Sequence, residues 1–136
     1  MNATSIGETD LRRLLGGLAP ELAAKPRAIR SQAADASVPA DAIMSFREHE
    51  GTTTIMVVDE SAVDASADEP LWAQITLRIH SSLEAVGMMA AIAAALAARD
   101  IPCNAVSAYY HDHLFVPWPR RDDTLAALRE LTGDTA

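Results

Sequence analysis

Apolar and polar positions alternate most regularly in the middle of the chain, over residues 71–80. Five apolar residues on one side of this segment are separated by polar or amphipathic residues on the other side, with a period of two. This pattern predicts a β-strand with one face on the core. Residues 52–58 are β-branched almost throughout, which predicts a second, buried strand.

The period changes to that of a helix after residue 84. A helix is predicted over residues 85–99, and its bulky stripe consists of Val86, Met89, Ile92 and Leu96. Two strands follow, over residues 101–110 and 114–117, joined by a tight turn near His111 and Asp112. A last helix is predicted to begin at Asp122 or Asp123 and to end at Gly133.

The first half of the chain has weaker patterns. Leucines at helical spacing predict a helix over residues 11–22, capped by Thr9 and ended by Pro26. Residues 27–31 predict a weak strand. Asp41 is expected to cap a short helix that ends at Gly51. The apolar residues of this short helix would be Ile43, Met44 and Phe46.

The second half has the order β-α-β-β-α, which is the ferredoxin-like βαββαβ order without its last strand. Residues 52–58 are the obvious donor of the missing strand. We therefore expect an α+β, ferredoxin-like fold in which residues 1–70 supply helices and a completing strand to a domain at residues 71–136. Two interleaved halves that share one antiparallel sheet are compatible with this order.

Charge argues against several classes of partner. The chain has 19 acidic and 11 basic residues and a net charge of −8. Proteins that neutralise phosphates need a basic face, whereas here Arg120 and Arg121 are followed at once by Asp122 and Asp123. We therefore expect no binding to nucleic acid or to anionic membranes.

The expected location is the cytoplasm. Residues 1–10 lack the basic and apolar regions of a signal peptide, and Cys103 has no second cysteine to pair with. Residues 85–98 are uncharged but are shorter than the roughly 18 residues that cross a bilayer.

Alanine makes up 27 of the 136 residues, and only six residues are Trp, Tyr or Phe. A core of this kind buries little apolar area for each residue, which leads us to expect a homodimer.

Three segments resemble one family. Residues 75–87, Ile-Thr-Leu-Arg-Ile-His-Ser-Ser-Leu-Glu-Ala-Val-Gly, resemble the first strand and ligand loop of small stand-alone ACT-domain proteins, which are relatives of the regulatory domains of aspartate kinases. Residues 97–104, Ala-Ala-Arg-Asp-Ile-Pro-Cys-Asn, resemble the ACT helix that leads into strand two. Residues 111–117, His-Asp-His-Leu-Phe-Val-Pro, resemble the third strand.

The resemblance, which covers residues 71–131, implies an ACT fold and a non-catalytic regulatory protein without a cofactor. It also implies that a free amino acid binds at the first strand–helix loop, between two domains or subunits, and that a separate enzyme could be the regulated partner. The predicted ligand-binding residues are His80, Ser81, Ser82, Leu83, Glu84, Ala85, Val86, Gly87, Met88, His111, Asp112 and His113.

Elementary chemistry supports this location. Strands one and three of a ferredoxin-like sheet are antiparallel neighbours, so the end of one lies beside the start of the other. The N-terminal N–H groups of the following helix suit a carboxylate, and Gly87 permits close backbone approach. Asp112 could then accept the ligand's ammonium group.

Two other functions remain open at this point. His80, His111 and His113 are weak candidates for a zinc site with three imidazoles, which would suit a metal-dependent enzyme. The family pattern has Leu-Thr after its loop glycine, where this chain has Met88 and Met89. That departure suits a structural partner subunit whose ligand site has decayed.

Overall fold

A computed structural model describes residues 10–61, 68–80 and 85–133 of the chain. In these residues a helix precedes five strands, and a second helix precedes two more strands. A short 3-10 helix, Trp118–Arg120, leads into the last helix. The elements are α1 (Leu11–Gly16), β1 (Pro20–Leu22), β2 (Arg27–Gln32), β3 (Met44–Arg47), β4 (Thr52–Val57), β5 (Trp72–Leu77), α2 (Met88–Ala97), β6 (Asn104–Ser107), β7 (Asp112–Pro117) and α3 (Arg121–Thr132).

The seven strands of the described residues form one antiparallel sheet in the order β3-β4-β2-β5-β7-β6, with β1 beside β5. β1 and β2 follow one another along the same edge of β5. Leu22 pairs with Ile75, and Arg27 pairs with Trp72. The second half therefore forms the ferredoxin-like order β5-α2-β6-β7-α3, and the predicted α+β, ferredoxin-like fold is confirmed.

The predicted donor of the closing strand is wrong. β4 lies in the shared sheet, but it pairs with β2 and β3 and not with β5. The strand beside β5 comes from β1 and the start of β2, in a segment for which the sequence predicted a helix end and a weak strand. β-Branched composition identified β4 as a strand, but composition does not determine which strand pairs with which.

The two halves repeat one strand order. In the first half, the strands that follow one another as β2, β3 and β4 lie side by side as β3-β4-β2. In the second half, β5, β6 and β7 lie as β6-β7-β5. The halves meet where β1 and β2 pair with β5.

The predicted helix over residues 11–22 is too long. α1 ends at Gly16, and its N-cap is Asp10, whose carboxylate accepts from the backbone N–H groups of Arg12 and Arg13 at 3.0 and 3.2 Å. The Gly16-Gly17 pair stops the helix because glycine disfavours helical conformation. Leu18 remains in the core with no exposed surface, although it lies outside the helix.

The short helix predicted from Asp41 to Gly51 is also wrong. This segment contains β3, which forms a hairpin with β4. The N–H of Glu48 donates to the carbonyl of Gly51 at 2.9 Å and closes the turn. Phe46 pairs with Thr53, so cross-strand contacts with a β-branched neighbour stabilise the extended state.

In the second half, the predicted elements are present and their bounds shift. α2 begins at Met88, three residues later than expected, and Val86, placed in its buried stripe, is 81% exposed. β6 stops at Ser107, and Tyr109 belongs to the turn that follows. α3 ends at Thr132 with Gly133 as its C-cap, as predicted, but it begins at Arg121 with Arg120 as N-cap and not at Asp122 or Asp123.

The three helices of the described residues cover one face of the sheet. The core between them is formed by completely buried side chains of the helices and of the two central strands. Its largest members are Leu14, Leu18, Ile75, Leu77, Ile92, Leu96, Leu114 and Leu128. Within the residues that the structure describes, each helix is too short or too polar to span a bilayer.

Candidate functional site

The loop between β5 and α2 is the predicted ligand site. Ser81, Ser82, Leu83 and Glu84 lie outside the described residues, so their part in the site stays a prediction. Gly87 is the N-cap of α2 and has a φ of +96°, a left-handed conformation that glycine adopts without steric cost. Its carbonyl accepts the N–H of Ala91 at 2.9 Å, which begins the helical ladder.

Gly87 also lies close to the first helix. A Cβ added to it would be 3.4 Å from Cδ2 of Leu11. Sequence reasoning assigned this glycine to close approach of a ligand. In the structure its left-handed backbone already accounts for a glycine here, whereas a Cβ at this distance from Leu11 would make only an ordinary van der Waals contact.

Asp112 lies beside the end of β5. It is the first residue of β7, not a turn residue as predicted, and it pairs with Leu77. Side chains alternate along a strand, and directly paired residues share a face. Asp112 therefore belongs to the helix-covered face, as Leu77 does, and only 9% of its surface is exposed.

The turn between β6 and β7 lies at the same end of the sheet. The N–H of Ala108 donates to the carbonyl of His111 at 3.0 Å and closes this turn. Tyr109 and Tyr110 form its exposed tip, and the ring of His80 lies 5.9 Å from that of Tyr110. The structure thus places His80, which follows β5, beside the β6–β7 turn.

His113 belongs to the opposite face. It lies between Asp112 and Leu114, which both belong to the helix-covered face, so its own side chain points away from the helices. Its ring centroid is 6.5 Å from that of His111. Among residues 10–61, 68–80 and 85–133, no group of three His, Cys, Asp or Glu side chains could hold a metal ion. The zinc site considered for His80, His111 and His113 therefore has no support.

His113 belongs to a hydrogen-bonded cluster of four side chains. Arg27 Nε donates to Gln74 Oε1 at 2.9 Å, and Gln74 Nε2 donates to Thr76 Oγ1 at 3.3 Å. Nδ1 of His113 lies 2.9 Å from Thr76 Oγ1 and 3.3 Å from Gln74 Nε2. Sequence reasoning missed this cluster. The sequence feature that could have revealed it is the pair of polar residues, Gln74 and Thr76, on the face of β5 that points away from the core.

Burial shifts the pKa of both His113 and Cys103. It lowers the pKa of His113, and the nearby charges of His111 and Arg78 lower it further, against an opposing effect of Asp112. His113 is therefore neutral at neutral pH. Burial also raises the pKa of Cys103, which keeps this side chain a thiol and disfavours nucleophilic chemistry there.

Comparison with known families finds the same domain type twice. Residues 72–130 match one ACT-domain family, and residues 6–70 match another. A solved structure from Vibrio cholerae, a protein of unknown function described as a possible transport protein, is 36% identical. The match covers 86% of this chain and 92% of that chain, with a TM-score of 0.68.

Two further structures share the fold. A protein from Agrobacterium tumefaciens is 16% identical, with 79% of this chain and 84% of that chain covered and a TM-score of 0.61. A structure of aspartokinase alpha and beta subunits is 10% identical, with 84% and 97% covered and a TM-score of 0.59. No curated protein matches the chain significantly.

Proposed function

This chain belongs to the ACT-domain family, and from that premise we propose that it is a non-catalytic regulatory protein that binds a free amino acid. The ligand would bind where β5 leads into α2, near the predicted residues His80 to Met88. A separate enzyme is the expected target of the regulation. The family assignment supports a regulatory role, and the geometry at the start of α2 supports the location.

The observation that carries the proposal is the start of α2. This ten-residue helix is the next described element after the first strand of a ferredoxin-like unit, and its N-cap is a left-handed glycine. The first N–H groups of a helix have no intrahelical acceptor, and the helix dipole favours a negative charge there. The ligand's carboxylate would bind these N–H groups. Asp112, paired with Leu77 at the end of β5, would receive its ammonium group.

A thermal-shift screen across the twenty amino acids tests the proposal. A ligand that binds only the folded state stabilises it by about 2.7 kcal/mol at a hundredfold excess over Kd. For a domain of this size we expect the melting temperature to rise by roughly 5 to 10 °C. If no amino acid at millimolar concentration raises it, the chain is better explained as a structural partner subunit.

Two pairs of variants locate the site. His80→Ala removes an exposed ring beside Tyr110, and His49→Ala removes an exposed histidine in the β3–β4 turn as a control. Asp112→Asn removes the proposed ammonium acceptor, and Asp35→Asn is its exposed control. Asp112 is buried, so the readout is the ligand-induced shift of each variant and not its absolute melting temperature. Equal shifts for a variant and its control would exclude that residue from the site.

We also propose that the chain is a homodimer that associates through α2. Four alanines of this helix are exposed, which allows close approach of a second helix: Ala90, Ala93, Ala94 and Ala97. Light scattering at micromolar concentration is expected to give twice the monomer mass. Ala93→Glu should reduce this mass, whereas Ala126→Glu, at an exposed position of α3, should not. A monomer mass for the unmodified chain would exclude the dimer.

A further inference from the structure

The face of the sheet opposite the helices holds a cavity of about 130 Å³. Residues of both outer strands and their flanks line it: Ile43 and Met44 at β3, and Val106 and Ala108 at β6. β3 and β6 are the two ends of the strand order, so the sheet curls until its ends face each other across the cavity. None of the described residues of the β5–α2 loop lines this cavity.

The cavity is apolar except for one polar group of side chains. Ile55 and Phe115, each 2% exposed, contribute to its apolar wall. Gln74 and His113 also line it. A cavity with apolar walls and a few fixed polar groups has the composition of a small-molecule site.

The hydrogen bonds around His113 determine which nitrogen carries the proton. Arg27 Nε can only donate, so the atom of Gln74 that it contacts is the oxygen, and the Gln74 nitrogen faces His113. This nitrogen donates, so Nδ1 of His113 accepts. A neutral imidazole with an accepting Nδ1 carries its proton on Nε2. In the part of the chain that the structure describes, both hydrogen bonds of this ring use Nδ1.

We infer that this cavity is a second ligand site, for a small neutral molecule with an aromatic or branched aliphatic body and one hydrogen-bond-accepting oxygen. The body would contact Ile55, Val106 and Phe115, and the oxygen would accept from Nε2 of His113. An engineered cavity of about 150 Å³ holds benzene, so the volume here suits a single ring. The neutral imidazole offers no charge to an anion, which separates this ligand class from the amino acid proposed for the loop.

Phenol and benzene are suitable probes, used in ¹H–¹⁵N NMR titrations of the full chain. Phenol is expected to shift the backbone signals of β3, β6 and β7 and to leave those of α2 and α3 unchanged. Val106→Phe fills the cavity and should weaken phenol binding at least tenfold. Val57→Phe, at a 45% exposed position of the same face that does not line the cavity, should change it less than twofold.

His113→Leu tests the hydrogen bond. It should weaken phenol binding at least fivefold and change benzene binding less than twofold.

Ala108→Leu, in the β6–β7 turn, also narrows the cavity and replaces Val106→Phe if that variant does not fold. Scattered shifts, the absence of shifts at millimolar phenol, or unchanged affinity in the filled variant would overturn the inference. So would shifts that accompany a change of molecular mass, because a second copy would then occupy this face. Val106→Phe should leave the thermal shift caused by the amino acid unchanged. The two proposed sites are therefore tested independently of each other.

Discussion

Thr76 and His113 face each other across β5 and β7, with Oγ1 and Nδ1 2.9 Å apart. They form a direct cross-strand pair on the face that the helices leave uncovered. Thr76 is 8% exposed, and burial lowers the pKa of His113. This pair therefore couples the protonation of one imidazole to the stability of the two central strands.

The first prediction concerns the stability of the protein at acidic pH. The pKa of His113 is lowered below the ordinary value of 6.5 in the folded state, so the unfolded state binds more protons once the pH falls toward that value. The stabilisation present above pH 6.5 should be lost as the pH falls through the lowered pKa. We expect the free energy of unfolding to decrease between about pH 8 and about pH 5.

Urea unfolding at the two pH values measures this effect. His113→Gln, which does not titrate, should show a smaller decrease than the unmodified chain. His49→Gln, at an exposed position of the β3–β4 turn, is the control for the same substitution elsewhere in the chain. An identical pH dependence in His113→Gln and the unmodified chain would contradict the assignment.

The second prediction concerns the core. Ile75 pairs directly with Leu114, and neither side chain has exposed surface. Ile75→Ala would leave a cavity between the central strands and the helices, and it should lower the free energy of unfolding by about 2 to 5 kcal/mol. Phe46→Ala, at a position that is 65% exposed, should change it by about 0.5 kcal/mol or less. Chemical denaturation compares the two.

The sequence predicted correctly those elements whose pattern of apolar residues fits only one kind of secondary structure. The alternation around Ile75 gave β5 and its core face, and the β-branched run gave β4. Around Leu18 the same reasoning failed, because leucines at helical spacing continue past the point where Gly16 and Gly17 end α1. Local spacing did not reveal that the next residues pair with β5, more than fifty positions away.

The sites were predictable to different degrees. The location of Gly87 at the start of a helix followed from the resemblance and from local pattern. Which face of the sheet Asp112 and His113 belong to depends on where β7 begins. The sequence predicted that this strand begins at residue 114, two residues later than it does. The cavity depends on the curl that brings β3 and β6 together, which is a property of the whole sheet.

The third prediction concerns two glycines. Gly87→Ala puts a Cβ on a left-handed backbone and should lower the free energy of unfolding by about 1 to 2 kcal/mol. Gly16→Ala is the control, since a Cβ there would meet no atom within 4 Å and its φ is not positive. It should raise the free energy of unfolding by about 0.4 to 1 kcal/mol. Thermal unfolding of both variants is the measurement, and equal effects of the same sign would contradict the assigned role of Gly87.

The last prediction concerns the dependence of the second half on the first. A chain of residues 71–136 would expose the edge of β5 that β1 and β2 occupy. It would also lose Leu14 and Leu18 from the core, each with no exposed surface. Burial of each such side chain contributes about 1.5 to 3 kcal/mol, and domains are stable by only about 5 to 15 kcal/mol.

We therefore expect residues 71–136 alone to show no cooperative unfolding transition, although residues 72–130 match an ACT-domain family. A chain of residues 10–136 keeps every core residue named above and should unfold cooperatively. Residues 10–61, added as a separate chain, should restore the transition by pairing β1 with β5. A cooperative transition in residues 71–136 alone would instead identify them as an independent domain, because β5 would then be stable without its neighbours from the first half.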